Sequence, residues 1–457
     1  MRRSLALLAT LAALLVLGGQ VAGDAASEGG RGLVLGLGIL LLAAWISGEL
    51  LAALRLPRIC GYLLLGVLLG PGAAAIRPSW FPLALSAEEI ASLKLVDGLA
   101  ISVIAFVAGG EVRLDRLRDL LRQVRIVLPL QSVAVIGGMM LLLPLVVLPR
   151  LGGELGAEEP RLAIAAVAAL LAFSNSPAVI IAVLKEVRAR GPMADLSMTF
   201  AVLVDLVLIV LFAMTLFWIV AASGDDAGAA GWTSLAPSLA WHLLGSIALG
   251  AAVGAAVRAV ARGIPGQLDA FVLVIAFVIA VVAQVAGTAP LLMGLAAGFV
   301  QANLRGSGDG LRHAGERLLL PVCCVFFAVA GASVNLASLA TLWTAALAIV
   351  VVRLVLLWTS TTAGASLAGV PAPARWWLWT AFVSQAGLSI GLVGEARRSL
   401  DGLPWSDDLA TLLLAVIAIH ELFGPLVMRL GLTRAGEVRT AAPLQLVAPA
   451  SAPEPSR

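Results

Sequence analysis

The chain contains 457 residues, of which 61% are hydrophobic and 12% charged, with a formal net charge of +3 and a mean hydropathy of +1.03. Soluble domains do not carry this much apolar sequence, so we predict a polytopic all-α membrane protein. The three cysteines, Cys60, Cys323 and Cys324, lack the spacing of a metal site or a disulfide framework. No cofactor, resident metal, nucleic-acid partner or enzymatic nucleophile–base set is therefore expected.

The first 23 residues are typical of a secretory signal peptide. Arg2 and Arg3 precede the apolar run 5–17, and Val21-Ala22-Gly23 offers small residues at a cleavage position. An uncleaved additional helix is the alternative. In both cases residues 24–30 are expected outside the cell.

About thirteen transmembrane helices are predicted in the domain that follows, residues 32–432, at about twenty apolar residues per span. Their approximate limits are 32–53, 57–76, 93–111, 123–148, 162–185, 195–222, 236–260, 267–286, 288–303, 317–336, 338–364, 374–396 and 406–430.

Basic residues cluster in alternate connections, such as 113–125, 185–190 and 305–317, whereas several loops on the opposite side are acidic. This asymmetry predicts a mature N-terminus outside and a C-terminus in the cytoplasm. Residues 433–457 are rich in Ala, Pro and Ser, which predicts a disordered cytoplasmic tail.

Two inverted repeats are predicted, at about 32–222 and 267–430, with the span at 236–260 as the linker between them. The stretch 106–114 is similar to 327–336, and the pair Gly66/Gly70 corresponds to Gly294/Gly298. A broken helix follows in each half. The first break is Ser174-Asn175-Ser176-Pro177 and the second is Ser384-Gln385-Ala386-Gly387. Transporters place their binding site where two such breaks meet.

Asp205 is the leading candidate for ion binding because it lies within the apolar run 202–210. A carboxylate in hydrocarbon costs about 2.5–3.5 kcal/mol on insertion scales, so such a residue is functional by default. It can hold either a proton or a cation, which is sufficient to couple the two flows. A structural hydrogen bond to a neighbouring helix is the alternative.

Five residues of the two breaks are the further candidates. Ser174, Asn175 and Ser176 at the first break can replace part of a cation's hydration shell, together with the exposed carbonyl groups. Ser384 and Gln385 occupy the second break. Simple helix kinks, without a role in binding, are the alternative for both.

Arg353 lies deep in the apolar run 347–358 and needs a counter-charge, either Asp205 or the carbonyl ends of the broken helices. We predict that it supports the site electrostatically. Gln131 occupies its position in the first repeat. Asp97, His420 and Glu421 are possible accessory residues. The alternative for Asp97 is a solvated helix end, and the alternative for His420 and Glu421 is hydrogen bonding between helices.

The motifs Leu56–Pro71, 106–114, Ser174–Pro177 with Asp205, Phe326-Phe327…Gly331 and Glu421–Pro425 occur in the order found in the sodium/hydrogen exchanger superfamily. Residues 35–432 most resemble its monovalent cation:proton antiporter-2 branch, with a Kef-type transmembrane domain that lacks the regulatory nucleotide-binding domain. The resemblance implies two crossed discontinuous helices that form the ion site with Asp205. It also implies a mobile core bundle and a fixed, dimer-forming bundle.

The expected function is therefore the exchange of Na+ or K+ for H+ by a homodimer in the bilayer of a bacterial inner membrane. One carboxylate with one fixed arginine suggests one-for-one exchange. A membrane sensor, or a carrier or channel without antiport on the same fold, is the alternative, because a fold does not determine its function.

Overall fold

The computed structural model describes residues 30–54, 56–73, 94–111, 114–151, 153–158, 160–222, 237, 241–261, 268–304, 309–332, 334, 336–385, 387–400 and 403–438. All regular secondary structure in these ranges is helical. The helices are α1 (Gly30–Ala53), α2 (Arg58–Leu69), α3 (Lys94–Glu111), α4 (Leu114–Leu142), α5 (Arg161–Phe173), α6 (Pro177–Glu186), α7 (Pro192–Ala222), α8 (Ser246–Ala261), α9 (Leu268–Ala286), α10 (Pro290–Asn303), α11 (Asp309–Ala332), α12 (Leu336–Leu367), α13 (Ala372–Trp377), α14 (Gly387–Ser399) and α15 (Ser406–Arg434).

Each of the thirteen predicted spans falls on a helix or on a broken helix. Seven segments of the described chain are long and apolar enough to cross a membrane as single stretches, and four shorter apolar helices accompany them. Several predicted limits are wrong by three to nine residues: α4 begins at Leu114 instead of 123, α11 begins at Asp309 instead of 317, α12 continues to Leu367 instead of 364, and α15 continues to Arg434 instead of 430. Hydropathy marks only the part of a helix that lies in hydrocarbon, whereas hydrogen bonding continues the helix into polar sequence. The predicted signal peptide lies outside the described residues.

The helices pack as two bundles. The core bundle consists of α4–α7 and α12–α15, in which α4 contacts α5 and α12, and α15 contacts α12 and α14. The scaffold bundle consists of α1–α3 and α8–α11, in which α3 contacts α9, α10 and α11, and α2 contacts α1 and α11. Contacts between the two bundles are made mainly by α6 with α3 and by α15 with α2.

The paired glycines of the two repeats make reciprocal helix contacts in the scaffold bundle. A Cβ at Gly66 on α2 would meet the carbonyl oxygen of Ala328 on α11. A Cβ at Gly298 on α10 would meet the carbonyl oxygen of Phe106 on α3. The Gly-xxx-Gly helix of each repeat therefore packs against the other repeat's stretch 106–114 or 327–336, as small residues at helix interfaces permit.

We expect Gly66→Ala to lower the apparent melting temperature of the purified protein in detergent. The added methyl group forces α2 away from α11, and overpacking of this kind costs about 1–3 kcal/mol. Gly137→Ala is the matched control, because nothing lies within 4 Å of a Cβ at Gly137. It should melt at the wild-type temperature or slightly above, since alanine favours a helix. Equal melting of both variants would contradict the close contact.

The order of the chain extends beyond the predicted start of the disordered tail at 433. Helix α15 continues to Arg434, and Glu437, only 6% exposed, packs against the start of α7. Its carboxylate accepts hydrogen bonds from the backbone N–H groups of Met193 (2.7 Å) and Ala194 (2.9 Å). Burial raises the pKa of Glu437 above its usual value, although these two donors oppose the shift. Residues 433–438 are thus part of the fold because they cap α7, and residues 439–457 lie outside the described residues.

Candidate functional site

The first break separates α5 from α6 in the core bundle. Helix α5 ends at Phe173, and the Ser174 hydroxyl donates to the Leu171 carbonyl oxygen (2.7 Å). Helix α6 begins at Pro177, which needs no hydrogen-bond acceptor for its nitrogen at the first helical position. Ser176 caps this helix by accepting a bond from the Val179 N–H (3.3 Å). The chain therefore crosses residues 174–176 with an extended backbone between two properly ended half-helices.

The second break lies between α13 and α14. Helix α13 continues as a 3₁₀ turn over Leu378–Phe382, and α14 begins at Gly387. Ser384 and Gln385 lie in the non-helical stretch between them, each 1% exposed. The structure thus shows a discontinuous helix at both predicted positions.

Hydrogen bonds between side chains join the two breaks. The Gln385 amide nitrogen donates to the Ser174 hydroxyl oxygen (2.9 Å) and to the Leu171 carbonyl oxygen. The Ser174 and Ser389 hydroxyl oxygens lie 2.8 Å apart, and both residues are fully buried. Ser174 is therefore the residue through which the first break meets the second.

Arg353 binds the carbonyl ends of both interrupted helices. Its guanidinium donates to the carbonyl oxygens of Ala172 (2.6 Å) and Ser174 (2.7 Å) at the first break, and to those of Phe382 and Val383 (2.8 Å each) at the second. The side chain is 0% exposed. The carbonyl end of a helix carries a partial negative charge, so two such ends stabilise one buried cation. The sequence allowed either Asp205 or the carbonyl ends of the broken helices as the counter-charge of Arg353. In the structure, Arg353 is paired with the carbonyl ends.

Asp205 lies in the middle of α7, the helix that contacts both interrupted helices. Helix α7 packs against α5, α6, α14 and the 3₁₀ turn, and the Phe200 ring lies 5.7 Å from that of Phe382. Asp205 is 0% exposed, and neither carboxylate oxygen has a hydrogen-bond partner in the described part of the chain. Both amide atoms of Asn175, 1% exposed, likewise lack one. Buried polar groups are normally paired, so these atoms are available to a ligand.

A family model described as the transmembrane sodium/hydrogen exchanger matches residues 37–429. The chain belongs to the sodium/hydrogen exchanger family. A sodium/hydrogen exchanger is a cation/proton antiporter and an integral membrane protein, so this is a family of transporters and not of enzymes.

Solved structures similar to the exchanger include two of the sodium proton antiporter MjNhaP1 from Methanocaldococcus jannaschii. The structure at pH 8 has a TM-score of 0.61 at 14% sequence identity. An electron-microscopy structure has a TM-score of 0.65 at 13% identity. Each alignment covers 89% of the exchanger and 98% of the other chain. These values establish the antiporter fold, and a search of curated proteins found no match.

Of the three possible accessory residues, two are buried in the middle of α15. His420 is 1% exposed, and its Nδ1 lies 2.9 Å from the Val416 carbonyl oxygen of the same helix. Glu421 is also 1% exposed. Asp97 lies in α3, but its side chain is outside the described residues.

Two residues near the breaks were missed by the sequence analysis. Ser389 is the third residue of α14, and its position shortly after the second break was the available signal. Gly424 of α15 lies against Ser384, where a Cβ would meet the serine hydroxyl. In the sequence, Gly424 stands within the motif Glu421–Pro425. Ser389 and Gly424 therefore pack around the two breaks.

Within the described residues, no group of three or more His, Cys, Asp or Glu side chains could hold a metal ion. The cation of an exchanger is its transported substrate and not a resident metal.

Proposed function

We propose that the protein exchanges a monovalent cation, Na+ or K+, for H+ by alternating access, with Asp205 as the group that binds either ion. The observation that carries this proposal is the buried Asp205 carboxylate, which lies without a hydrogen-bond partner in the described chain on the helix that contacts both breaks. A permanently structural carboxylate would be paired, because an unpaired charge in a membrane core is costly.

Arg353 supports this proposal because it neutralises the carbonyl ends without engaging the carboxylate. Its four donated bonds go to backbone oxygens of the two breaks. The negative ends of both half-helices are therefore already compensated. Asp205 remains as the charge that a proton or a cation can balance. Asn175, Ser174 and Ser176 of the first break are the groups proposed to replace water around a cation.

The two-bundle architecture suggests how the bound ion crosses the membrane. Both breaks, Arg353 and Asp205 belong to the core bundle, which meets the scaffold bundle along α6 and α15. We infer that the core bundle moves against a scaffold that forms a homodimer in a bacterial inner membrane, with the N-terminus outside and the C-terminus inside. Because one proton replaces one monovalent cation on one carboxylate, the exchange is electroneutral.

Inside-out membrane vesicles with a pH-sensitive dye test the proposed substrates. After an acid interior is established, Na+, Li+, K+ or Rb+ is added in turn, with choline as the control cation. We expect at least one of Na+ and K+ to dissipate the gradient and choline to have no effect. A set of four null responses would contradict cation/proton exchange, and a clear dependence of the rate on membrane potential would contradict one-for-one stoichiometry.

A further inference from the structure

Charged side chains connect the core bundle to the scaffold bundle at one end of the molecule. The Lys185 ammonium of α6 lies 2.8 Å from the Glu316 carboxylate of α11. The next residue, Glu186, binds Arg58 of α2. Arg58 in turn donates from Nε to the Glu49 carboxylate of α1 (2.7 Å).

Glu186 makes the most enclosed of these contacts. Its side chain is only 7% exposed, and both carboxylate oxygens accept from the backbone N–H of Arg58, at 2.8 and 3.1 Å. Arg58 is the first residue of α2, so this N–H has no partner within its own helix. A carboxylate at a helix N-terminus also interacts favourably with the helix dipole. The last residue of a core helix therefore caps the first turn of a scaffold helix.

The Glu49–Arg58 pair and two other ion pairs among the described residues each lie within one bundle. Arg317 and Asp269 (2.6 Å) both belong to the scaffold, and Arg397 and Asp407 (2.7 Å) both belong to the core. Those two pairs are also more exposed, at 51–75% of the side-chain surface, compared with 7–34% for the Arg58–Glu186 and Lys185–Glu316 pairs between the bundles. Movement of one bundle against the other leaves the exposed pairs intact and breaks the pairs of Lys185 and Glu186.

We propose that Arg58, Lys185, Glu186 and Glu316 form a latch that stabilises the present arrangement of the bundles over the displaced one, with Glu49 holding the Arg58 side chain within the scaffold. A displacement of a few ångströms separates charged groups of the two bundles that are now 2.8–3.6 Å apart. Interactions made in only one of two conformations shift the equilibrium toward that conformation by their free energy. The latch rests on the proposed alternating access and lies at the end that the basic connections 185–190 and 305–317 assign to the cytoplasm.

Distances between spin labels on the full-length protein in lipid nanodiscs test the latch. Labels are placed at Leu54 of the scaffold, 68% exposed, and at the exposed Thr433 of the core. The three buried native cysteines are replaced by alanine. We expect Lys185→Gln combined with Glu186→Gln to raise the ratio of the displaced to the present distance population about tenfold. Loss of a hydrogen bond to a charged group changes an equilibrium constant by about this factor.

Two further variants separate a latch from a general loss of folding. Exchanging the charges, Lys185→Glu with Glu316→Lys, should restore the wild-type distance distribution, whereas Glu316→Gln alone shifts it. Arg397→Gln with Asp407→Asn is the matched control within the core bundle and should leave the distribution unchanged.

Unchanged distances in the double variant and in Glu316→Gln, or failure of the exchanged pair to restore them, would overturn the latch. The measurement needs no transport. Normal cation exchange with unchanged distances in these variants would therefore contradict the latch and leave the proposed function standing. Shifted distances in a protein that exchanges no cation would contradict the proposed function and would still support the latch between the two bundles.

Discussion

Asp205→Asn is expected to abolish cation-dependent dissipation of the pH gradient in inside-out vesicles while the protein remains folded in the membrane. The amide cannot release a proton or carry the charge that balances a cation, so both halves of the exchange are lost. Because the carboxylate is fully buried and has no partner in the described residues, the neutral amide is also easier to bury. We therefore expect the apparent melting temperature to stay the same or to rise.

The combination of lost exchange and retained stability distinguishes a substrate-binding carboxylate from a structural one. A structural Asp205 would lose stability on substitution, by about 1–3 kcal/mol if a hydrogen bond were removed. Asp195→Asn is the matched control, because Asp195 lies in the first turn of the same helix. It should retain exchange. Normal exchange by Asp205→Asn would show that another group binds the cation.

Arg353→Met is expected to destabilise the core bundle strongly. It removes four hydrogen bonds and leaves four buried carbonyl oxygens without their donor. Loss of one partner from a buried charged network costs roughly 3–5 kcal/mol, which corresponds to a fall in apparent melting temperature on the order of 10 °C. Exchange activity should be lost in parallel, because the two breaks are no longer held together.

Gln131→Met provides the matched control in the other repeat. Gln131 occupies the equivalent position on α4, is 1% exposed, and has no hydrogen-bond partner for its amide in the described residues. Methionine has a similar length, so this variant should melt at or above the wild-type temperature. Arg353→Lys should lie between the two, since lysine keeps the charge but not the planar fork of donors. An Arg353→Met variant as stable as Gln131→Met would contradict the bridging role.

The largest parts of the fold could be predicted from the sequence because they depend on local properties. A span needs about twenty apolar residues, so hydropathy located thirteen helices or broken helices without knowledge of their neighbours. The two breaks were located because Pro177 and Gly387 disrupt helical hydrogen bonding or propensity within their own turn. The glycine pairs 66/70 and 294/298 indicated close contacts, although not which helices they touch.

The details of the site could not be predicted in the same way. The sequence left open whether Arg353 pairs with Asp205 or with carbonyl ends, because hydropathy shows that a charge is buried and does not show which helix lies beside it. It placed Ser174 in one break and Gln385 in the other, but their hydrogen bond joins residues 211 positions apart. Ser389 gave only a weak signal, because a serine inside an apolar helix is common.

The sequence by itself determined which residues are costly to place in a membrane: Asp205, Arg353 and the polar residues of two breaks. That follows from the solvent, since hydrocarbon penalises charge and unpaired backbone at any position in a fold. Only the tertiary structure decided which of these groups satisfy one another. Arg353 is paired with four carbonyl oxygens, the Asp205 carboxylate is left without a partner in the described chain, and Glu186 reaches a helix 128 residues away. Those outcomes depend on helix packing, which no local pattern records.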